Sequence, residues 1–188
     1  LEDAAGMVLA EDMVAPLSVP HFPKSAMDGY AVYHGEVALA TGERPVTLKV
    51  NGELWAGEYD VYEYSPGTAI RVMTGSYVPE GYTAVVKQED TNYGEVEVEM
   101  YSSVKEYQNY CKIGEDIRAG NRVLQKGEFL TPVHIGLLAG MGIPRVKVTE
   151  PVKVAVLSTG SELLDIGDQL QSGKIYNSVS YMLSAMVK

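Results

Sequence analysis

One acid in this chain stands in wording that a solvated turn does not require. Asp28 lies between Met27 and Gly29 in the run Ser25-Ala26-Met27-Asp28-Gly29-Tyr30-Ala31-Val32, just after a stretch holding Pro16, Pro20 and Pro23. Glycine beside an acid marks a turn where backbone and ligand can approach closely. Two more acids recur in similar settings: Asp116 in Gly114-Glu115-Asp116-Ile117, and Glu162 in Ser158-Thr159-Gly160-Ser161-Glu162. Gathered in one cleft, such carboxylates could bind Mg²⁺, accept protons or orient a water. Each also fits a plainer role, accepting hydrogen bonds from its own turn.

The Ser158 loop carries a second kind of chemistry. Val152-Lys153-Val154-Ala155-Val156-Leu157 reads as a buried parallel strand. The loop that leaves the carboxyl end of such a strand is where open α/β sheets bind ligands. Hydroxyls of Ser158, Thr159 and Ser161, with the N–H groups around Gly160, could hold a phosphate, and a following helix start favours an anion. Glu162 could take Mg²⁺ or a ligand hydroxyl. A plain strand-to-loop connection remains the alternative. The pattern is not a P-loop, because GxxxxGK[ST] is missing. Thr74-Gly75, after the run Thr68-Ala69-Ile70-Arg71-Val72-Met73, reads by itself as a strand end. His21, His34 and His134 show neither metal-ligand spacing nor a nucleophile context.

Composition narrows the classes. The 188 residues are 46% hydrophobic, enough for a core in one large or two small domains. Asp and Glu number 25 against 15 Lys and Arg, a net charge of −10. That excess argues against nucleic acid and anionic membrane surfaces as partners. An anionic ligand would need cations or local N–H groups to offset the repulsion. Cys111 is alone, so no intrachain disulfide forms and a buried or idle thiol is expected. With no transmembrane run and no signal-peptide pattern, cytoplasm is the default.

These side chains need elements to hold them. Leu1, Ala4, Ala5, Val8 and Leu9 fall at helical intervals, which predicts a helix over residues 1–13, already under way at Leu1. Residues 14–24 are an extended proline-bearing connector. From 28 to 120 the signals are short strands. Val46-Thr47-Leu48-Lys49-Val50 leads into Asn51-Gly52, a hairpin turn pair. Gly94-Glu95-Val96-Glu97-Val98-Glu99-Met100 alternates, acids toward solvent and apolar residues toward a core. The 13 tyrosines fit half-buried strand positions better than a base-stacking platform. Arg122-Val123-Leu124 is a short strand, and Thr131-Pro132 caps and opens a helix that ends at Gly140-Met141-Gly142. Asn177 or Ser178 caps a last helix. Helices at both ends of a β-rich insert predict a discontinuous domain. The fold class is therefore mixed α and β: a barrel-like β-rich domain (25–118) inserted in a discontinuous helical and β domain (1–24 and 119–150), then the start of an α/β parallel-sheet domain (151–188). Residues 151–188 are few for a parallel-sheet domain, so the chain is expected to stop partway through one.

Taken in order, the blocks resemble one family. They are Val8-Leu9-Ala10-Glu11-Asp12, Ala15-Pro16, residues 25–32, Arg71-Val72-Met73-Thr74-Gly75, Val78-Pro79-Glu80-Gly81, Ala84-Val85-Val86, Gly114-Glu115-Asp116-Ile117 and Leu157-Ser158-Thr159-Gly160. In wording and order the chain is similar to the MoeA/gephyrin E-domain family, the molybdopterin molybdenumtransferases, along essentially its whole length. The resemblance implies insertion of molybdenum from molybdate into adenylyl-molybdopterin, with release of AMP and help from Mg²⁺. It implies an elongated homodimer in which 1–24 and 119–150 form the dimerisation domain, with a molybdopterin adenylyltransferase as a further partner. It implies a cleft between the β-rich domain of one subunit and the α/β domain of the other. Carried over by motif, Asp28, Thr74 and Asp116 would line one side and Glu162 the other as catalytic residues. Ser158, Thr159, Gly160 and Ser161 would contact the pterin or its phosphate. The metal ligands stay unassigned.

The chain departs from the family pattern at two small places and one large one. Ser161 stands where the family's block commonly has Asp, and Cys111-Lys112-Ile113 stands where arginines often precede Gly-Glu-Asp. Both put pterin affinity in question. The family's later blocks and last domain do not follow Lys188, so this stretch by itself is expected to be inactive, as an amino-terminal portion of the enzyme. The rival readings are a non-catalytic gephyrin-like scaffold and a tungsten-preferring transferase.

Overall fold

The computed structural model describes residues 1–187. It divides into two compact units, Leu1–Val148 and Thr149–Lys188. The first contains strands β1 (Met13–Val14), β2 (Lys24–Ser25), β3 (Gly29–Val32), β4 (Val46–Leu54), β5 (Thr68–Val72), β6 (Ala84–Lys87), β7 (Glu97–Met100), β8 (Tyr110–Cys111) and β9 (Arg122–Leu124), then helix α1 (Pro132–Gly140). The second contains β10 (Leu163–Leu164), β11 (Ile175–Tyr176) and helix α2 (Ser178–Met186).

Five strands form the central sheet, in the order β6-β3-β5-β4-β7. Side chains alternate faces along a strand, and here both faces are buried. Tyr30, Val32, Ala69, Ala84 and Val86 enter one core with Leu48, Val98 and Met100. Ala31, Ile70, Val72 and Val85 enter another with Leu54, Val78 and Tyr82. That is why Gly29–Val32 and Ala84–Val86 are buried at every position, while β5 admits one half-buried charge, Arg71. At the β7 edge the expected alternation holds: Val98 and Met100 are buried while Glu97 faces solvent.

Asn51-Gly52 does not turn a hairpin. The chain runs straight through it, and a register shift between Val50 and Gly52 absorbs the extra residue as a bulge. A Cβ on Gly52 would run into the Tyr62 ring, so the glycine serves packing there. β4 then pairs parallel with β5, and parallel neighbours need a long crossover. Residues 55–67 supply it, laying Tyr62 and Tyr64 on the second core beside Tyr77 and Tyr110. Burial first, then the Glu36 carboxylate, pushes the Tyr64 phenol up to about 12. The half-buried tyrosines thus cover a sheet.

The helix expected over residues 1–13 is absent. A single 3₁₀ turn, Glu2–Ala4, is followed by Gly6 at φ +83°, a conformation that ends a right-handed helix. The chain then runs extended: Val8 bridges to Phe129, Leu9 to Val148, and β1 pairs antiparallel with β9. Ala4 and Leu9 still reach a core, shared with Ala15, Leu124, Leu130, Leu138 and Met141. Asp12 ties this pairing down through the Lys126 N–H (2.7 Å) and Arg122 (3.2 Å). Helix α1 starts as read, with Thr131 accepting from the His134 N–H and Pro132 in first position.

In the second unit the strand expected over 152–157 is missing. Among the described residues no strand lies beside it to complete a ladder, and Val152 and Leu157 are exposed. The parallel pairing there is β10 with β11. Helix α2 is capped by Asn177, whose Oδ1 accepts from the Ser180 N–H at 3.2 Å. Among the described residues no helix is long and apolar enough to cross a membrane.

Candidate functional site

The turn that carries Asp28 is fixed from both ends. Ser25 is buried; its hydroxyl donates to the Met27 carbonyl (2.5 Å) and accepts from the Met27 N–H (3.3 Å). The Ala26 N–H donates to the Asn109 carbonyl at 3.0 Å. At the other end Gly29 pairs with both Val72 and Lys87, inside the sheet. A Cβ at Gly29 would collide with the Val86 carbonyl. The glycine that frames Asp28 is required by this close approach.

Thr74 completes the arrangement from the end of β5. Its N–H and its hydroxyl both donate to Asp28 Oδ1, each at 2.7 Å. Gly75, at φ +85°, turns the chain so that its own N–H donates to the Ser25 carbonyl at 2.8 Å. The two hydrogen bonds from Thr74, the hydroxyl's first, hold the Asp28 carboxyl below the ordinary aspartate range. Among the described residues Oδ2 of Asp28 accepts no hydrogen bond, so the carboxylate is ionised, oriented and half open. A group whose folded pKa is depressed contributes stability above its unfolded pKa and loses it as pH falls through the folded value. Thr74→Val removes the hydroxyl donor but keeps the N–H. Asp28 should then titrate higher than in the wild type, as read from its carboxyl carbon resonance by NMR. An unchanged or lower midpoint would contradict the two-donor account.

Asp116 is exposed in a loop bound to the proline-bearing connector. Its N–H and that of Ile117 donate to the Val19 carbonyl at 3.0 Å, and the Gly114 N–H donates to Pro20 at 2.9 Å. Gly114, at φ +69°, packs against Arg118 and Ser18. The structure therefore brings Asp28 and Thr74 into contact, and attaches Asp116 to the chain that leads into their turn. Burial, Glu115 and Asp116 push the Cys111 thiol up, against the opposing effect of Lys24.

The Ser158 loop belongs to the second unit. Ser158 and Gly160 line a cavity of about 530 Å³ together with Asp165, Asn177 and Tyr181. Thr159 and Ser161 are exposed beside it, and the Ser161 carbonyl accepts from Lys174 Nζ. The Glu162 carboxylate lies against Gly160, where a Cβ would come within 2.5 Å of Oε1. Sequence reasoning missed Asp165 and Tyr181, whose hydroxyl donates to Asp165 Oδ1 at 2.8 Å. Their spacing matches no motif; only the turn between Glu162 and α2 brings them together.

The histidines are occupied structurally: His34 Nδ1 contacts the Thr83 hydroxyl at 2.8 Å, His134 caps α1, and His21 packs edge-on to Phe22. Among the described residues no three His, Cys, Asp or Glu side chains gather to hold a metal.

Comparison with known proteins agrees with the family read from the motifs. The chain is 41% identical over its full length to the Molybdopterin molybdenumtransferase of Haemophilus influenzae, covering 46% of that protein. It is 44% identical over its full length to Molybdopterin molybdenumtransferase 2 of Mycobacterium tuberculosis, again covering 46%. The crystal structure of the molybdopterin biosynthesis moeA protein from Pyrococcus horikoshii superposes with a TM-score of 0.90 at 36% identity, over 99% of this chain and 50% of that one. The chain thus spans about half the length of the relatives it matches. Residues 1–142 match the family model described as MoeA N-terminal region (domain I and II), and the chain belongs to that family.

Proposed function

We propose that the protein carrying this chain is a molybdopterin molybdenumtransferase, acting in molybdenum cofactor biosynthesis. It would insert molybdenum from molybdate into the dithiolene of adenylyl-molybdopterin and release AMP. The observation that carries this reading is the Asp28–Thr74 pair: an ionised carboxylate held by two donors with one oxygen open, in a chain similar throughout to proteins of that name. Asp28, Thr74, Asp116 and Glu162 are the proposed catalytic residues, and Ser158, Thr159, Gly160 and Ser161 the proposed pterin contacts. Fixed as an anion, Asp28 can accept a proton from the substrate's dithiol or orient a water toward the adenylyl phosphate. Thr74 keeps it aimed.

Mg²⁺ takes one or two carboxylates together with substrate phosphates. The open oxygen of Asp28 fits one such place, though no protein-only cluster of three ligating side chains exists among the described residues. When bound, the ion would neutralise developing charge on the adenylyl phosphate.

For the domains, we read 1–24 and 119–150 as a discontinuous dimerisation domain, 25–118 as the inserted β-rich domain, and 151–188 as part of the pterin-binding domain. The pairing of residues 8–14 with 122–129, on either side of the central sheet in sequence, supports the first two. A cytoplasmic homodimer working with a molybdopterin adenylyltransferase belongs to the same reading. The test is complementation: the full-length protein should restore molybdenum cofactor in cells lacking their own transferase. Failure of well-expressed, folded protein to do so would overturn the reading.

A further inference from the structure

Lys24 is placed by backbone register, and among the described residues no side-chain hydrogen bond or ion pair holds it. In β2 it stands directly opposite Cys111 of β8 and, on its other side, opposite Tyr77. Opposed residues of antiparallel strands project from one face, with Cβ atoms about 4.5–5.5 Å apart. Tyr77, Lys24 and Cys111 therefore form a row, while the next residue, Ser25, points inward and is buried.

The row connects the acid-bearing segments. Thr74, which holds Asp28, lies three residues before Tyr77, across the turn that Gly75 makes. On the other side, Cys111 feels both Lys24 and Asp116. Lys24 is half-buried, and among the described residues it forms no ion pair. In register Lys24 stands between the segment that follows Thr74 and the strand that leads toward the Asp116 loop, and in a chain with ten more acids than bases its ammonium is available to an anion from outside. Beside it, the Tyr77 ring meets those of Tyr59 (4.9 Å) and Phe22 (6.3 Å), an aromatic flank suited to a planar base.

We infer that Lys24 is an anion-binding residue of the Asp28 site, where it holds a tetrahedral oxyanion, the adenylyl phosphate or molybdate, against the repulsion of the surrounding carboxylates. The assignment rests on the transferase reading above and names the residue that makes an acidic site accept an anionic substrate.

Cys111, across the strand from Lys24, reports on occupancy. In the full-length protein, iodoacetamide alkylation of Cys111 is followed by mass spectrometry of its peptide, with AMP, molybdate or sulfate at matched ionic strength. AMP or molybdate should slow alkylation in the wild type and in Lys24→Arg. In Lys24→Ala the concentration for half-protection should rise roughly tenfold, as for loss of one charge-assisted hydrogen bond. Protection by AMP alone assigns the phosphate, and protection by molybdate alone assigns the metal oxyanion; both support the inference. Equal protection by sulfate, no protection by any anion, or protection unaltered in Lys24→Ala would overturn it. Recovery in Lys24→Arg separates charge from folding. Failed complementation by wild-type protein would remove the enzyme reading, whereas unaltered protection in Lys24→Ala removes only the lysine assignment.

Discussion

In the full-length protein, Asp28→Asn should all but abolish the proposed molybdenum insertion while leaving the fold intact. Asparagine keeps the size of the side chain, and its Oδ1 can still accept from the N–H and hydroxyl of Thr74, which lie 2.7 Å from the native oxygen. What it loses is the charge and the basic second oxygen. If that oxygen takes a proton or aims a water, the expected loss is roughly a hundred- to ten-thousand-fold, the range for removing a positioned acid or base. Cofactor formation by the full-length protein measures it, and the melting curve should stay close to wild type. Activity within a factor of about three of wild type, less than the smallest effect expected of such a group, would exclude Asp28 from the chemistry.

Gly29→Ala should strongly destabilise the central sheet. Gly29 is buried between β5 and β6, paired with Val72 and Lys87, and the added Cβ meets the Val86 carbonyl. A backbone atom cannot rotate away as a side chain can, so β3 must separate from β6 or bend. We expect a cost of about 3 kcal/mol, the upper part of the overpacking range, and a melting temperature lower by about 10 °C in a chain of this size. Activity should fall too, because the Asp28 turn is anchored through the same strand: the Gln88 N–H donates to the Asp28 carbonyl at 3.0 Å. A melting curve that matches the wild type would mean the two strands are not held this closely.

What the sequence made legible, and what it hid, follows from the range of the interactions. The Thr131-Pro132 cap, the Asn177 cap and the outward Glu97 were readable because each is decided within a few residues. The Asp28–Thr74 contact was not: it joins turns 46 residues apart, and neither turn announces the other. Asn51-Gly52 misled for a related reason. Its local preference for a turn is overridden by the pairing of β4 with β5, which continues through Gly52 to Leu54. Leu1, Ala4 and Leu9 gave a helical spacing, but Gly6 and the partners at Leu130 and Glu128 draw the chain into extended pairing. Residues 152–157 have the composition of a buried strand, yet an apolar run becomes a strand only where a neighbour accepts its hydrogen bonds.

The central claim is that Asp28 fronts the anionic substrate, and its own titration tests that most directly. In full-length protein, the Asp28 carboxyl carbon should titrate below the ordinary aspartate range when free. Its midpoint should rise when AMP and molybdate are added together, because a nearby negative charge disfavours the ionised form. A resonance and midpoint that ignore saturating AMP and molybdate would place the substrate elsewhere and contradict the account.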